Sequence, residues 1–337
     1  MFRLSLLLAL ALTPAASALA PTNLAPVAVQ PDWQRAGSFL LGFTEAGELV
    51  TRRDTSATLD ILDAATGQPG RTIVFPEVPN PREVSALAFT PDLKTLAWVN
   101  SKGDAVTVRT PSGEWTTPPA NGVQLVRRLA LSPDGQTLAV STYNSYVQLW
   151  DTARRTRRHT LLRMTDPLAF SPDGRTLAAT RVFASGITLW NVATGGRQLD
   201  LPQLAAPARP LRFLPDGTLL AGKTRTTLDL SRLEQGDIGF TTQAFAPYLE
   251  ACPPGSPWKL CRRDPRTGSA SRDGERFLMG IFRTPQFRAT GLLYDKAGRL
   301  LQVLDVGESN LPELTPDGRR LVWQSLRGEL LSGPLSP

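Results

Sequence analysis

The sequence has few of the residues on which enzymes and metal sites depend. It contains one histidine, His159, and two cysteines, Cys252 and Cys261, among 337 residues. One histidine rules out a histidine-rich metal site and argues against a Ser–His–Asp triad, which needs a histidine as its base. Neither cysteine lies beside a histidine, and structural zinc needs four ligands. No glycine-rich phosphate loop opens a helical pattern. We therefore expect no catalytic residue, metal or cofactor.

Long apolar runs are scarce too, and only the N-terminus has one. Leu4 to Leu12 is apolar except for Ser5, Arg3 precedes it, and small residues follow from 15 to 20. This is the layout of a secretory signal peptide. An N-terminal anchor helix is the alternative, although the run is shorter than the roughly 20 residues that span a bilayer.

We expect the signal to be removed after Ala18. A second site, after Ala20, would place Pro21 next to the scissile bond, where its ring and missing N–H fit an extended substrate poorly. The expected mature chain is therefore 19–337, without a transmembrane segment, in the periplasm or outside the cell. Exported proteins meet oxidising conditions, which predicts a disulfide between Cys252 and Cys261; two buried free thiols are the alternative.

The chain is basic, with 37 lysines and arginines against 30 acidic residues, a net charge of +7 that becomes +6 without Arg3. A charge of this size suggests an anionic partner or surface. Nucleic acid is not expected, because an exported protein rarely meets a genome and the charge is not confined to one segment.

A repeat runs through the sequence. The residues 129–139 (LALSPDGQTLA) recur as 168–178 (LAFSPDGRTLA) and more loosely as 87–97 (LAFTPDLKTLA). Seven copies align on one position, occupied by Ala46, Asp92, Asp134, Asp173, Asp216, Asp273 and Asp317. The spacings are 46, 42, 39, 43, 57 and 44 residues, and four-stranded propeller blades have repeats of about 40–45 residues. The longest interval contains both cysteines.

Each copy has the pattern of two strands around a tight turn. Proline sets φ, aspartate bonds to nearby backbone, and glycine accepts a positive φ. A third strand follows with strict alternation, as in Tyr146–Asp151 and 186–191, and 58–63 and 291–295 fit the same slot. Trp150 and Trp190 share one position in this strand, which indicates packing between blades. No stretch after the signal has a sustained helical period.

The pattern predicts an all-β, seven-bladed β-propeller of four-stranded antiparallel blades in one domain. The last blade is one strand short, and we expect residues 25–29, with Pro26 at an outer edge, to complete it and close the ring. We expect residues from about 247 to 266, with both cysteines and Trp258, to project as a loop between blades, either as a contact element or as a tolerated surface insertion.

The Ser-Pro-Asp-Gly turns, followed by Leu-Trp-Asp151, resemble the WD-repeat family over nearly all of the mature chain. Eukaryotic members of the family carry a Gly-His pair in the repeat, and its histidine joins a buried hydrogen-bond network. This chain has a single histidine, His159, so that network is absent. The chain therefore looks closer to bacterial exported propellers, including the periplasmic Tol-associated type. The resemblance implies a binding scaffold, and partners of eukaryotic members cannot be carried over.

The loops between the second and third strands open on one face in this architecture, named here the loop face. Basic and aromatic residues gather in these loops: Arg52, Arg53, Lys102, Tyr143, Arg181, Phe183, Lys223, Arg225, Arg283, Phe287, Arg288 and Arg327. Nine are basic, whereas the chain average would place about four among roughly 35 loop positions. They predict a basic funnel for an anionic partner; ordinary solvated loops are the alternative.

We therefore predict a monomeric, non-catalytic scaffold that binds a protein or an anionic polymer through the loop face. The alternative is a propeller enzyme, lactonase- or hydrolase-like, at the mouth of the channel. A quinone-dependent propeller would carry tryptophan-docking repeats, which are missing. On the opposite face, Arg154, Arg155, Arg157 and Arg158 share a predicted turn before a solvated His159. We expect an ordinary solvated turn there; contact with an anionic membrane or cell-wall polymer is the alternative.

Overall fold

The computed structural model describes residues 24–53, 56–75, 87–118, 125–182, 186–202, 204, 211–222, 224–228, 240–245, 248–251, 260–263, 267–283, 288–310 and 312–335. Regular structure in these ranges is β-strand throughout, in seven sheets of at least four strands and one hairpin. This confirms the predicted seven-bladed β-propeller. Within the same ranges, no helix is long and apolar enough to cross a membrane.

Two N-terminal strands precede the blades, β1 (Val27–Ala28) and β2 (Trp33–Ala36). Blade one contains β3 (Ser38–Phe43), β4 (Leu49–Arg53), β5 (Thr58–Leu62) and β6 (Pro69–Val74). Blade two contains β7 (Leu87–Phe89), β8 (Leu96–Val99), β9 (Val106–Thr110) and β10 (Gly113–Thr116). Blade three contains β11 (Val126–Leu131), β12 (Thr137–Thr142), β13 (Tyr146–Asp151) and β14 (Thr156–Leu162). Blade four contains β15 (Met164–Phe170), β16 (Thr176–Arg181), β17 (Ile187–Asn191) and β18 (Arg197–Leu201).

Blade five contains β19 (Leu211–Phe213), β20 (Leu219–Ala221), β21 (Thr224–Leu228) and β22 (Phe240–Ala244). A hairpin of β23 (Tyr248–Ala251) and β24 (Leu260–Arg263) follows, inside the longest repeat interval. Blade six contains β25 (Thr267–Ala270), β26 (Arg276–Arg283), β27 (Arg288–Asp295) and β28 (Leu300–Glu308). Blade seven contains β29 (Glu313–Leu314), β30 (Arg320–Gln324) and β31 (Glu329–Pro334). The predicted third-strand segments all fall in third strands.

An N-terminal strand completes blade seven, as predicted, but the segment chosen was wrong. The closing strand is β2, antiparallel to β31 with Trp33 opposite Ser332. Residues 25–29 instead contain β1, which pairs in parallel with β28 at the outer edge of blade six. The reason is the Trp33 indole, which packs at the junction of blades seven and one and donates to the Ala64 carbonyl at 3.2 Å. The small residues of 25–29 cannot make these contacts.

The repeated turn is held by the hydrogen bonds of its own side chains. In blade three, the Ser132 hydroxyl donates to Asp134 Oδ1 at 2.6 Å, and the Thr137 amide donates back to Ser132 Oγ at 2.9 Å. The Gln136 amide also donates to Asp134 Oδ1. The same arrangement recurs at the turns containing Asp92, Asp173, Asp273 and Asp317. The repeated aspartates are therefore turn residues.

In the part of the chain that the structure describes, the core consists of seven separate apolar clusters, one between each pair of neighbouring blades. Trp115 and Trp150 meet between blades two and three with ring centroids 6.1 Å apart. Trp190 packs between blades three and four, which confirms that the recurring tryptophans join blades. The smallest cluster, between blades seven and one, has only four buried members: Leu49, Leu62, Val322 and Leu330.

Backbone hydrogen bonds show which connections share a face. The Tyr143 amide, in the loop between the second and third strands of blade three, donates to the carbonyl of Leu125 in the connector from blade two. The amide of Met164, the first residue of β15 directly after the connector to blade four, donates to the Ser145 carbonyl in the same way. The connectors between blades therefore lie on the loop face. The remaining turns lie together on the opposite face, named here the turn face, where the Thr152 amide donates to Gln136.

Candidate functional site

Several predicted residues do lie at the loop face. Lys102 and Arg327 are exposed in their loops, and Tyr143 is 52% exposed. Arg53 and Arg181 end their second strands and approach carboxylates, with Arg53 Nε 3.1 Å from Asp60 Oδ2 and Arg181 Nη1 3.7 Å from an oxygen of Asp200. These two arginines are held by structural ion pairs.

Two predicted residues are not displayed on this face. Arg52 is only 3% exposed, because its side chain is enclosed within the propeller. Arg225 lies between blades five and six, where its guanidinium is 5.4 Å from the centre of the Phe277 ring and its Nη1 donates to the Lys296 carbonyl at 2.5 Å. Lys296 belongs to the turn face, so Arg225 joins two blades.

The other predicted positions are described less fully. Arg283 is the last residue of β26 and Arg288 is the first residue of β27. Their backbones pair with each other at the loop-face end of blade six. Phe183, Lys223 and Phe287 lie outside the described residues, as do Cys252 and Trp258. The disulfide and the role of the twelve residues as one binding set therefore stay predictions.

The loop face has an apolar component that the sequence analysis missed. Seven large apolar side chains are exposed in the described ranges, and five lie at loop-face ends of strands or in loop-face connections: Val74, Leu125, Tyr143, Leu162 and Leu326. Leu125 and Leu162 lie in, or next to, connectors between blades. The twelve predicted residues were all taken from loops between the second and third strands of a blade. The connectors between blades were not considered, because the repeated turn motif does not mark them.

This apolar group is densest on blade three. Leu125 and Leu162, 46% and 68% exposed, belong to the two chain segments that flank the Tyr143 loop. The Arg127 guanidinium lies 5.4 Å from the centre of the Tyr143 ring. Arg163, next to Leu162, is exposed. We name Leu125, Arg127, Tyr143, Leu162 and Arg163 the blade-three patch. It combines apolar, aromatic and cationic surface.

An ion-pair cluster between blades supports this patch. Arg127 Nε lies 2.7 Å from Asp166 Oδ1, and Arg128 Nε lies 3.8 Å from Asp166 Oδ2. Asp166 is on β15 and its side chain is 2% exposed, whereas both arginines are on β11. One buried carboxylate in blade four therefore pairs with two arginines of blade three, of which Arg127 also lies against the Tyr143 ring.

The turn face carries carboxylates, but they are engaged in turn structure. A cavity of about 570 Å³ lies where blades six, seven and one meet, lined partly by Asp63, Asp273 and Asp317. Hydrogen bonds lower the pKa of Asp63, first from Thr66, and that of Asp273, first from Ser271. Across the described ranges, no three His, Cys, Asp or Glu side chains are grouped to hold a metal ion.

The arginine-rich segment differs from the predicted single turn. Only Arg154 and Arg155 are in the turn, whereas Arg157, Arg158 and His159 belong to β14. His159 is half-buried, not solvated, and its Nε2 lies 2.8 Å from the Ala193 carbonyl of blade four. Packing against the neighbouring blade thus gives His159 a structural role.

Asp151 anchors this segment. Its side chain is 3% exposed and forms ion pairs with Arg154, at 3.2 Å, and with Arg158. Burial would raise the pKa of Asp151, but hydrogen bonds from the Arg154 amide and the Arg158 guanidinium outweigh burial, so its pKa lies below the ordinary value.

The fold and the repeated turns define a seven-bladed β-propeller with WD-repeat-like blades. The family model "WD domain, G-beta repeat" matches residues 116–151, which end with the Leu-Trp-Asp strand of blade three. No curated protein sequence matches the chain.

Two solved structures share the architecture. The β-propeller domain of Cps50 (Swd1) from Myceliophteria thermophila is 15% identical, with a TM-score of 0.66 over 90% of this chain and 100% of that one. Kuenenia stuttgartiensis hydrazine synthase is 16% identical, with a TM-score of 0.56 over 94% of this chain and 99% of that one. At these identities the likeness shows the fold alone. Propellers of the WD-repeat type generally serve as binding scaffolds.

Proposed function

We propose that this propeller is a non-catalytic scaffold that binds a protein through the loop face, centred on the blade-three patch. The observation that carries the proposal is the concentration of exposed large apolar side chains on this face, five of the seven in the described ranges. Isolated exposed apolar residues are ordinary, whereas a grouped set beside polar side chains marks an interaction surface.

The composition of the patch indicates the partner's chemistry. Tyrosine and arginine are enriched among residues that dominate binding energy at protein interfaces. Tyr143 offers a rigid ring, Leu125 and Leu162 offer apolar surface, and Arg127 and Arg163 add positive charge. We infer a protein segment with apolar side chains next to carboxylates. An anionic polymer without apolar groups would leave Leu125 and Leu162 unused.

The test compares two matched double variants in a pull-down from an envelope extract. Tyr143→Ser with Leu162→Ser removes apolar surface from the patch, whereas Val27→Ser with Leu301→Ser removes exposed apolar surface from elsewhere on the ring. We expect a partner that wild type and the second variant retain and the first loses, with affinity reduced about tenfold or more, since interface anchors contribute about 2 kcal/mol each. Equal retention by both variants would reject the proposed site.

We further propose that the protein acts after export, in the periplasm or outside the cell. The support is the sequence of residues 1–18, in which Arg3, an apolar run and small residues follow in order. Fractionation of cells that express the full chain is expected to place a shortened protein, beginning at Leu19, outside the inner membrane. A full-length chain in the cytoplasm would contradict this.

A further inference from the structure

Most of the net charge of the protein is carried by two blades. Residues 126–201, which form blades three and four, contain ten arginines and five aspartates, a net charge of +5. The other 261 residues contain 27 basic and 25 acidic side chains, a net charge of +2. The excess of positive charge is therefore concentrated in this segment, which corrects the expectation that the charge is not confined to one segment. Part of it belongs to the blade-three patch, and a larger group lies at the opposite end of the same blades.

That group surrounds the outer turn of blade three on the turn face. It consists of Arg154, Arg155, Arg157, Arg158 and Arg197, named here the outer arginine patch. Arg154 is 79% exposed at its side chain, and Arg155 and Arg157 are exposed beside it. Within the described residues, the only carboxylate that forms an ion pair with any of the four patch members from blade three is that of Asp151, which is buried and pairs with Arg154 and Arg158. A single negative charge thus faces four positive charges.

The strand register extends the patch into blade four. Arg157 lies opposite Trp150, and Arg197 lies opposite Trp190, so the two arginines occupy equivalent positions in consecutive blades. The Arg197 side chain is 62% exposed and forms an ion pair with Asp200, with Nη1 3.1 Å from Oδ2. The contact of His159 with the Ala193 carbonyl holds the outer turn of blade four against β14. The two outer strands are thereby fixed beside each other.

The chemistry of the patch differs from that of the blade-three patch. None of its five members is apolar or aromatic, and the nearest exposed apolar residue on β14, Leu162, is at the other end of the strand. Guanidinium groups bind phosphate oxygens through two parallel hydrogen bonds, which an ammonium group cannot reproduce. Stable attachment to a bilayer surface needs apolar insertion besides charge. Arginines repeated from blade to blade suit a chain of repeated anions better.

We propose that the outer arginine patch is a second binding site, for a linear polymer that carries closely spaced phosphate groups. Arg154, Arg155 and Arg157 make direct phosphate contacts, Arg197 extends the site into blade four, and Arg158 keeps the segment in place through Asp151. The site lies on the face opposite the blade-three patch, so a protein and a polyanion can bind together.

The test measures binding of labelled inorganic polyphosphate to the full chain as a function of salt. Arg154→Ser, Arg155→Ser and Arg157→Ser are combined in one variant, and Lys94→Ser, Lys296→Ser and Arg299→Ser form the control, with the same change in charge at other exposed positions. We expect the patch variant to bind about tenfold more weakly or worse, and its slope of log affinity against log salt to fall by about two, because each lost phosphate contact removes about 0.7. The control stays within about twofold of wild type, as expected for charges remote from the site.

Three results would overturn the proposal: no binding by wild type, equal weakening in both variants, or binding to vesicles of phosphatidylcholine and phosphatidylglycerol in place of polyphosphate. Arg155→Ser alone guards against loss of fold, because Arg155 is an exposed turn residue without an ion pair in the described ranges. It is expected to keep the wild-type melting temperature and to weaken polyphosphate binding about threefold, as for one lost contact. The Tyr143 and Leu162 variant is expected to bind polyphosphate normally, which separates this site from the protein-binding proposal.

Discussion

Arg127 of blade three and Asp166 of blade four form an ion pair with an Nε to Oδ1 distance of 2.7 Å, and the same Arg127 guanidinium lies 5.4 Å from the centre of the Tyr143 ring. The pair links two neighbouring blades at the loop face, and the carboxylate is almost fully buried. It therefore connects the stability of the ring with the position of the residues that we propose for binding.

Asp166→Asn is expected to lower the free energy of unfolding by about 1–3 kcal/mol. The substitution removes the charge that neutralises Arg127 and Arg128, and breaking a buried pair is costly, although both arginines are partly exposed and can turn to solvent. Asp200→Asn is the control, because that carboxylate is 28% exposed and both of its pairs, with Arg181 and Arg197, are longer than the 2.7 Å contact between Asp166 and Arg127. Urea denaturation should show a clearly smaller loss for the control; equal losses would contradict the role given to Asp166.

Trp33→Ala is expected to destabilise the ring at its closure. The indole packs against the smallest of the seven core clusters and lies against Gly67 of blade one, so its loss should cost about 2–4 kcal/mol. Val27→Ala, in the edge strand β1, removes an exposed side chain and should change stability by less than about 0.5 kcal/mol. Thermal unfolding measures both. A similar effect of the two substitutions would show that β1 closes the ring as much as β2 does.

Gly135→Ala and Gly274→Ala separate the two demands on the turn glycine. Both glycines have a φ of 70°, but a Cβ on Gly135 would lie 2.5 Å from Thr95 Oγ1 of blade two, whereas one on Gly274 would meet nothing within 4 Å. Each alanine pays about 1 kcal/mol for the left-handed conformation. The Gly135 variant should lose about 1–3 kcal/mol more through overpacking. Equal losses of unfolding free energy in urea denaturation would mean that Thr95 can move away from the added Cβ at no energetic cost.

Acid should destabilise the protein partly through Asp151. Its pKa in the folded chain lies below the ordinary value of 3.8, so its contribution is complete above that pH and is lost as pH falls through the folded pKa. Arg158→Gln removes a charged donor and should raise the pKa of Asp151. We therefore expect a smaller loss of unfolding free energy between pH 7 and pH 3 in this variant than in wild type. Arg155→Gln, in the adjoining turn, should leave the loss unchanged; the reverse order would contradict the assignment.

The fold could be predicted from the sequence because the same turn motif repeats in each blade. Asp134 and its equivalents mark the turn between the first and second strands of each blade, and the alternation of residues 146–151 marks a third strand. Both signals are local, since they arise from hydrogen bonds and side-chain direction within a few residues. Even Leu93, where other copies have glycine, keeps the turn with a φ of 59°.

The closing strand and the apolar part of the candidate site were not predictable in this way. Trp33 is recognised by contacts with blades seven and one, which are remote in sequence. Leu125 and Leu162 become neighbours of Tyr143 only when connectors and loops meet at the loop face. Side-chain positions that are set by packing between blades produce no periodic pattern in the sequence, so they could not be predicted from it.

Because the core is divided into seven separate clusters, the number of buried apolar side chains differs from one junction between blades to the next. The junction of blades seven and one has the fewest buried side chains, and it is held by the four-residue strand β2. Regions with few buried contacts open at the lowest free energy, without global unfolding. The backbone amides of β2 and β31 should therefore exchange with deuterium before those of blades three and four. Both proposed binding sites lie on blades three and four, so we expect ligands to bind the part of the ring that stays closed while the junction of blades seven and one opens.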